Sequence, residues 1–117
     1  MMKITLLLAA LFLFTPGQDQ SEIVGLWNMT ENDTQIEIVK VGDSYTGTVI
    51  KSKSEKAIDK VILRDFTKDG EDWKGKFYAV KRDRLLDAKL KTTGDDSLEL
   101  EITARGRLRK LKLERAK

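Results

Sequence analysis

Apolar and polar residues alternate at a period of two along most of the chain after residue 22. The clearest case is 98–102, where leucine or isoleucine at every second position is separated by Glu99 and Glu101. Strict alternation is typical of β-strands with one face buried and the other in water. Since no stretch of this region has the 3.6-residue period of an amphipathic helix, the pattern predicts an all-β domain.

Eight such segments are separated by turn residues. They cover 23–29, 34–41, 45–50, 61–66, 73–77, 86–91, 98–102 and 108–115. The turns are short, as at Gly42-Asp43, which favours antiparallel strands in up-and-down order. Closure into a small eight-stranded barrel removes both sheet edges, and a flattened sandwich is the alternative. The valines at 39 and 41 break the alternation and predict a bulge in the second strand.

The alternation also assigns an inward face to each strand. The predicted inward residues are Ile23, Trp27, Ile36, Ile38, Tyr45, Val49, Val61, Leu63, Trp73, Phe77, Leu86, Leu90, Leu98, Leu100, Ile102, Leu111 and Leu113. Gly47 and Gly75 share this face with the aromatic residues. Glycine weakens an ordinary strand, so we expect these two to let the barrel bend or a neighbouring ring approach; a glycine-lined ligand floor is the alternative.

Residues 1–17 have the three-part layout of a secretory signal peptide. Lys3 precedes an apolar run from Ile4 to Phe14, which is followed by Thr15-Pro16-Gly17. The run is shorter than the roughly 20 apolar residues that a membrane-spanning helix needs. We therefore predict cleavage near Gly17, export to the periplasm or the medium, and a barrel domain over 18–117.

The composition lacks residue types on which most catalytic sites depend. The chain has no Cys and no His, and so lacks thiolate nucleophiles, the usual general base and the commonest metal ligand. The acidic stretch from Asp65 to Asp72 fails as a calcium loop because Lys76 stands where a bidentate Glu is required, and it is better interpreted as a hairpin turn. We therefore predict no enzymatic activity, no cofactor and no metal site.

Charge is abundant but nearly balanced, with 22 basic and 19 acidic residues. The most one-sided stretch is the run Arg105, Arg107, Arg109, Lys110, Lys112, Arg115 and Lys117. Glu99 and Glu101 are expected to oppose Lys110 and Lys112 across an antiparallel pair, which explains part of this charge. No stacking aromatics accompany the run, so nucleic acid is not expected as a partner, whereas an anionic envelope surface is compatible with export. A solvated strand is the simpler interpretation.

Several short motifs occur together in this order along the chain. They are Gly25-Leu26-Trp27, Tyr45-Thr-Gly47-Thr-Val49, Ile62-Leu-Arg-Asp-Phe66, Trp73-Lys-Gly75-Lys-Phe77-Tyr78 and Leu113-Glu-Arg115. The set resembles the uncharacterised bacterial family numbered 2147 among domains of unknown function, small exported proteins with a lipocalin-like barrel. The resemblance implies that Arg115 covers Trp27 beside Gly25 and closes one barrel end, as a guanidinium stacks on an indole face. The alternative is an ordinary core tryptophan and a solvated terminal arginine.

Two roles follow from a barrel of this size, which is just wide enough to be filled by side chains or to hold one small ligand. The first is a monomeric binding module that takes a small apolar or amphipathic ligand at an open end formed by Tyr45, Trp73, Phe77 and the polar loop 51–60. The second is a filled barrel whose basic C-terminal strand contacts an anionic component of the cell envelope.

Overall fold

The computed structural model describes residues 22–31 and 33–116, which form a closed antiparallel barrel in which each strand pairs with its neighbours in sequence and the first pairs with the last. The strands are β1 (Gly25–Met29), β2 (Thr34–Val41), β3 (Ser44–Lys51), β4 (Val61–Asp69), β5 (Asp72–Ala79), β6 (Arg84–Gly94), β7 (Ser97–Ala104) and β8 (Arg107–Arg115). A single 3-10 turn, Glu55–Ala57, lies between β3 and β4. The predicted up-and-down barrel is confirmed. The predicted signal peptide, 1–17, lies outside the described residues.

The connections differ between the two ends of the barrel. At one end, which we call the closed end, tight turns at 42–43, 70–71 and 95–96 lie beside residues 22–24 and the last residues of β8. At the other end, which we call the mouth end, the connections span 30–33, 52–60, 80–83 and 105–106. The longest connection therefore lies at the mouth end. No helix in the described part of the chain is long and apolar enough to cross a membrane.

Large side chains fill the barrel interior. Trp27 and Phe66 have no exposed surface, and Trp73 is 1% exposed. Most of the predicted inward residues are buried as expected, but Val61, Phe77 and Leu86 are only half-buried. Four further core residues were not among the predicted inward residues, namely Met29, Ile62, Phe66 and Ala88.

An irregularity in β4 explains why its core residues were mispredicted. The pairing of β4 with β5 shifts register between Arg64 and Thr67, and Asp65 in this interval has a positive φ of 57°. Such a bulge breaks the alternation of faces. This bulge brings Phe66 into the core. A second register shift, where β3 pairs with β4 between Leu63 and Val61, leaves Ile62 and Leu63 both buried.

The bulge predicted at Val39 and Val41 is wrong. Pairing of β2 with β3 runs without interruption through both valines, and the register shift lies instead between Gln35 and Ile36. Val39 and Val41 simply lie on the outer face, where they are 38% and 57% exposed. Apolar residues on the outside of a strand are ordinary at protein surfaces, so the change of parity at these two valines does not indicate a bulge.

Glycines in β3 and β5 make room for side chains of β4. A Cβ built at Gly75 would lie 2.6 Å from Cδ1 of Phe66 and 2.7 Å from the carbonyl oxygen of Arg64. At Gly47 it would lie 2.8 Å from Cδ1 of Leu63. The expectation that a neighbouring ring needs this space therefore holds for Gly75, and an aliphatic side chain takes the same space at Gly47.

We predict that Gly75→Ala destabilises the barrel by about 1–3 kcal/mol, because the added methyl must displace the Phe66 ring or the β4 backbone. Urea unfolding followed by circular dichroism measures the loss. The exposed neighbour Lys74→Ala is the control and should stay within about 0.5 kcal/mol of the parent. Equal unfolding midpoints for the two variants would contradict the packing role of Gly75.

Candidate functional site

Arg115 covers Trp27 at the closed end. The guanidinium carbon lies 4.3 Å from the centre of the Trp27 ring system, and the indole Nε1 donates a 2.9 Å hydrogen bond to the carbonyl oxygen of Ile23. Trp27 and Arg115 are also paired in register between β1 and β8, the strands whose pairing closes the barrel. The structure thus places these two residues together as the resemblance implied.

Arg115 also fastens the N-terminal segment and a turn. Its Nη1 and Nη2 donate hydrogen bonds of 3.1 and 3.2 Å to the carbonyl oxygens of Val24 and Glu22. Its Nε donates a 3.2 Å bond to the Asp96 carboxylate in the β6–β7 turn. A Cβ at Gly25 would lie 2.9 Å from Nη1, and the φ of Gly25 is +133°. A residue with a side chain would therefore be strained there and would crowd the arginine.

Trp73 lies at the same closed end as Trp27. Its ring is covered by Lys68, whose Nζ lies 3.9 Å from the ring centre, and Lys68 is its register partner on β4. Tyr45, next to the 42–43 turn, is opposite Phe66 and is 6% exposed. Both rings are therefore core residues near the closed end.

The predicted grouping of Tyr45, Trp73 and Phe77 with loop 51–60 is therefore wrong. Tyr45 and Trp73 stand near the starts of β3 and β5, whereas loop 51–60 follows the end of β3. Because antiparallel strands reverse direction at each turn, the starts of odd-numbered strands lie at one end and their C-terminal ends at the other. Phe77, later in β5, is the only member of the set on the side of the loop.

Half-buried apolar residues gather at the mouth end. Ala57, Phe77, Val80 and Leu86 pack against the core without being fully covered. Ala57 belongs to the 3-10 turn of the long connection, which is held on β3 by hydrogen bonds from the Asp59 amide to the Val49 carbonyl (2.8 Å) and from the Val49 amide to the Lys60 carbonyl (2.9 Å). The long connection is therefore fastened to the last part of β3 at the mouth end. We call these four residues the mouth cluster.

Ion pairs join the connections around the mouth. Arg109 on β8 is bonded to Glu31 at 3.1 Å, and Lys53 in the long connection to Asp33 at 3.0 Å. All four side chains are more than half exposed, so each pair contributes at most about 1 kcal/mol. These two pairs therefore contribute little to the stability of the connections that they join.

The basic C-terminal run divides between two faces of β8. Lys110 and Lys112 are opposite Glu101 and Glu99, as predicted, which compensates charge on the outer face. Arg109 is instead opposite the buried Ile102 and Arg107 is opposite Ala104, so these arginines share the inward face beyond the core, at the mouth end. The alternation of β8 contained this signal, since 107, 109, 111 and 113 have the same parity.

The titratable groups with shifted pKa values lie on the outer surface. The hydrogen bond from the Tyr78 hydroxyl to Asp83 raises the pKa of Tyr78, whose ring is also covered by Arg64 at 4.4 Å. The hydrogen bond from Lys91 lowers the pKa of Glu101. Among the described residues, no three acidic side chains are placed to hold a metal ion.

A comparison with solved structures shows the lipocalin-like fold. The chain is similar to protein HP1028 from Helicobacter pylori, which belongs to the lipocalin family, with a TM-score of 0.68 and 14% sequence identity over 82% of this chain and 84% of that one. Neither a family model nor a curated protein matches the sequence. The lipocalin-like architecture is therefore shown, and membership of the family numbered 2147 stays a prediction.

We predict that Trp27→Ala lowers the free energy of unfolding by roughly 3–5 kcal/mol, as truncation of a large core side chain does. Arg115→Met should lower it by about 1–3 kcal/mol, because the stacked cation and its hydrogen bonds are lost. Chemical denaturation measures both. Arg82→Met removes an exposed arginine at the other end and is the control; a midpoint for Arg115→Met equal to this control would contradict the closing role.

The pair Lys91–Glu101 gives a pH-dependent prediction. The pKa of Glu101 lies below its ordinary value of 4.5 in the folded protein because Lys91 donates to it at 3.1 Å. Its stabilisation is therefore present above pH 4.5 and is lost as pH falls through the lower folded value. Lys91→Met should reduce stability at neutral pH and converge with the parent in acid.

The measurement is the urea midpoint from neutral pH to well below the ordinary pKa of Glu101. Lys89→Met is the control, since Lys89 is opposite Glu101 on β6 but is not among the groups that lower its pKa, and the acid dependence of this variant should follow the parent. A constant offset between Lys91→Met and the parent at all pH values would contradict the assignment.

Proposed function

We propose that this chain is an exported, non-enzymatic binding protein that holds a small apolar or amphipathic ligand at the mouth end of its barrel. The mouth cluster, Ala57, Phe77, Val80 and Leu86, is the observation that supports this function most directly. Apolar groups that are packed on one side and open on the other offer contact area to a ligand at little cost of reorganisation.

The filled interior limits how deeply a ligand enters. Phe66 and the two tryptophans occupy the barrel below the mouth cluster. A long chain buried along the barrel axis would require these rings to move, and dense protein cores resist such movement. The ligand is therefore shallowly bound, with its apolar part on the mouth cluster and its polar part in water.

The leader pattern of residues 1–17 supports export. Non-enzymatic binding is supported by composition, since a chain without His or Cys has few groups for acid–base or nucleophilic chemistry near neutral pH. Tyr78 does not supply a base either, because its raised pKa keeps the phenol protonated.

The test is titration of the purified protein with N-phenyl-1-naphthylamine, a neutral apolar fluorophore, followed by displacement with a medium-chain fatty acid. Tryptophan emission is a poor reporter here because both indoles are buried at the closed end. We predict saturable binding that Val80→Asp weakens at least about tenfold, because a carboxylate in the mouth cluster would have to be desolvated.

Val41→Asp is the matched control, since it places the same charge at the closed end on a side chain that is 57% exposed. It should leave fluorophore binding unchanged. Binding that does not saturate, or that both variants weaken equally, would contradict a site at the mouth end.

A further inference from the structure

Charge is segregated between the two ends of the barrel. At the mouth end, segments 30–33, 51–60, 80–84 and 105–109 contain ten basic residues and five acidic ones. The basic residues are Lys51, Lys53, Lys56, Lys60, Lys81, Arg82, Arg84, Arg105, Arg107 and Arg109. The acidic residues are Glu31, Asp33, Glu55, Asp59 and Asp83. At the closed end, segments 22–25, 40–44, 68–72, 94–97 and 114–116 contain three basic residues and eight acidic ones. The basic residues are Lys40, Lys68 and Arg115. The acidic residues are Glu22, Asp43, Asp69, Glu71, Asp72, Asp95, Asp96 and Glu114. A nearly neutral chain is thus strongly dipolar along its axis.

The positive charge of the mouth end is largely uncompensated. Three of its acidic side chains are already engaged: Glu31 with Arg109, Asp33 with Lys53, and Asp83 with the Tyr78 hydroxyl. Four arginines, by contrast, are exposed and have no side-chain hydrogen bond or ion pair to any described residue. They are Arg82, Arg84, Arg105 and Arg107, all close to the 80–83 and 105–106 connections.

The two ends are far enough apart to act separately. An eight-residue strand such as β3, at roughly 3.3 Å per residue and tilted by about 40°, separates them by roughly 20 Å. Charges are screened over about 8 Å at physiological ionic strength. A negatively charged surface at the mouth end therefore interacts with the arginines with little repulsion from the closed end.

Two large apolar side chains project outward beside these arginines. Leu85 near the start of β6 is 52% exposed and Leu108 near the start of β8 is 55% exposed. Thr103 on β7 is opposite Leu108 on β8 and opposite Asp87 on β6. Leu85 lies two residues before Asp87 on β6. The leucines therefore flank the β7–β8 turn on the outer surface of three adjacent strands.

We propose that the mouth end docks on an anionic lipid bilayer through a basic lip formed by Arg82, Arg84, Arg105 and Arg107 together with Leu85 and Leu108. Each guanidinium offers a fork of donors that matches a phosphate group. The leucines reach the boundary between headgroups and acyl chains. Docking in this way turns the mouth toward the membrane and the acidic closed end away from it.

A bilayer fits these features better than a dissolved polyanion. Acidic polysaccharide uses the charge but leaves the two leucines in water. Single-stranded nucleic acid needs exposed aromatic rings for stacking, and the large exposed apolar side chains of the described residues are all aliphatic. Docking through the basic lip does not depend on ligand binding at the mouth cluster.

Vesicle sedimentation tests the docking. The purified protein should bind vesicles that contain phosphatidylglycerol, should bind pure phosphatidylcholine vesicles far less, and should dissociate as salt is raised. The variant R82Q/R84Q/R105Q/R107Q should lose at least about a hundredfold in partitioning, given the contribution of each basic side chain near an anionic surface. The control K40Q/K74Q/K89Q/K112Q makes the same change in net charge away from the lip and should lose less than about fivefold.

The orientation is tested with a dye. Because the chain has no Cys, Leu85→Cys or Val41→Cys gives a single attachment point for an environment-sensitive fluorophore. Anionic vesicles should shift the emission of the Leu85→Cys conjugate to the blue and leave that of the Val41→Cys conjugate unchanged. Circular dichroism confirms that each variant is folded.

Several results would overturn the proposal. They are equal losses for the two charge variants, equal shifts for the two conjugates, or stronger retention on a soluble acidic polysaccharide or single-stranded DNA than on anionic vesicles. Fluorophore binding in solution is measured separately, so the loss of one activity does not imply loss of the other.

Discussion

The stacking of Arg115 on Trp27 is the interaction on which the rest of the barrel depends. β1 is only five residues long and must pair with the last strand to close the sheet, so its position needs more than backbone hydrogen bonds. One guanidinium holds the indole, the N-terminal segment and the β6–β7 turn at once. With no disulfide available, this cluster reinforces the backbone pairing that joins β1 to β8.

The two ends of the barrel differ in ways that favour the mouth end for the proposed binding. The closed end is tied by tight turns, buried rings and the cations that cover them, and it carries net negative charge. The mouth end has longer connections, weak surface ion pairs, an incompletely covered apolar cluster and excess positive charge. In the proposed function, stability and binding are thus separated along the barrel axis.

Much of the fold was predictable from alternation, because a strand with one wet face imposes a period of two on its sequence. The alternation could not locate the bulge in β4, since it rests on the positive φ of Asp65, a conformation that Asp adopts only occasionally and that leaves no mark on the hydrophobic pattern. It also misplaced Tyr45 and Trp73, although strand direction alone puts them at the end opposite loop 51–60. The mouth cluster was missed because Ala57 and Val80 lie in connections, where periodicity carries no information about burial.

The most direct test is to follow the NMR chemical shifts of the backbone amides and the tryptophan indoles while the protein is titrated with N-phenyl-1-naphthylamine. We predict shifts at the mouth cluster and its connections, while the indole signal of Trp27, hydrogen-bonded to Ile23, and that of Trp73 stay in place. Shifts centred on the two indoles, with Ala57 and Val80 unchanged, would show that the ligand enters where we have placed the closed end, and would contradict the account.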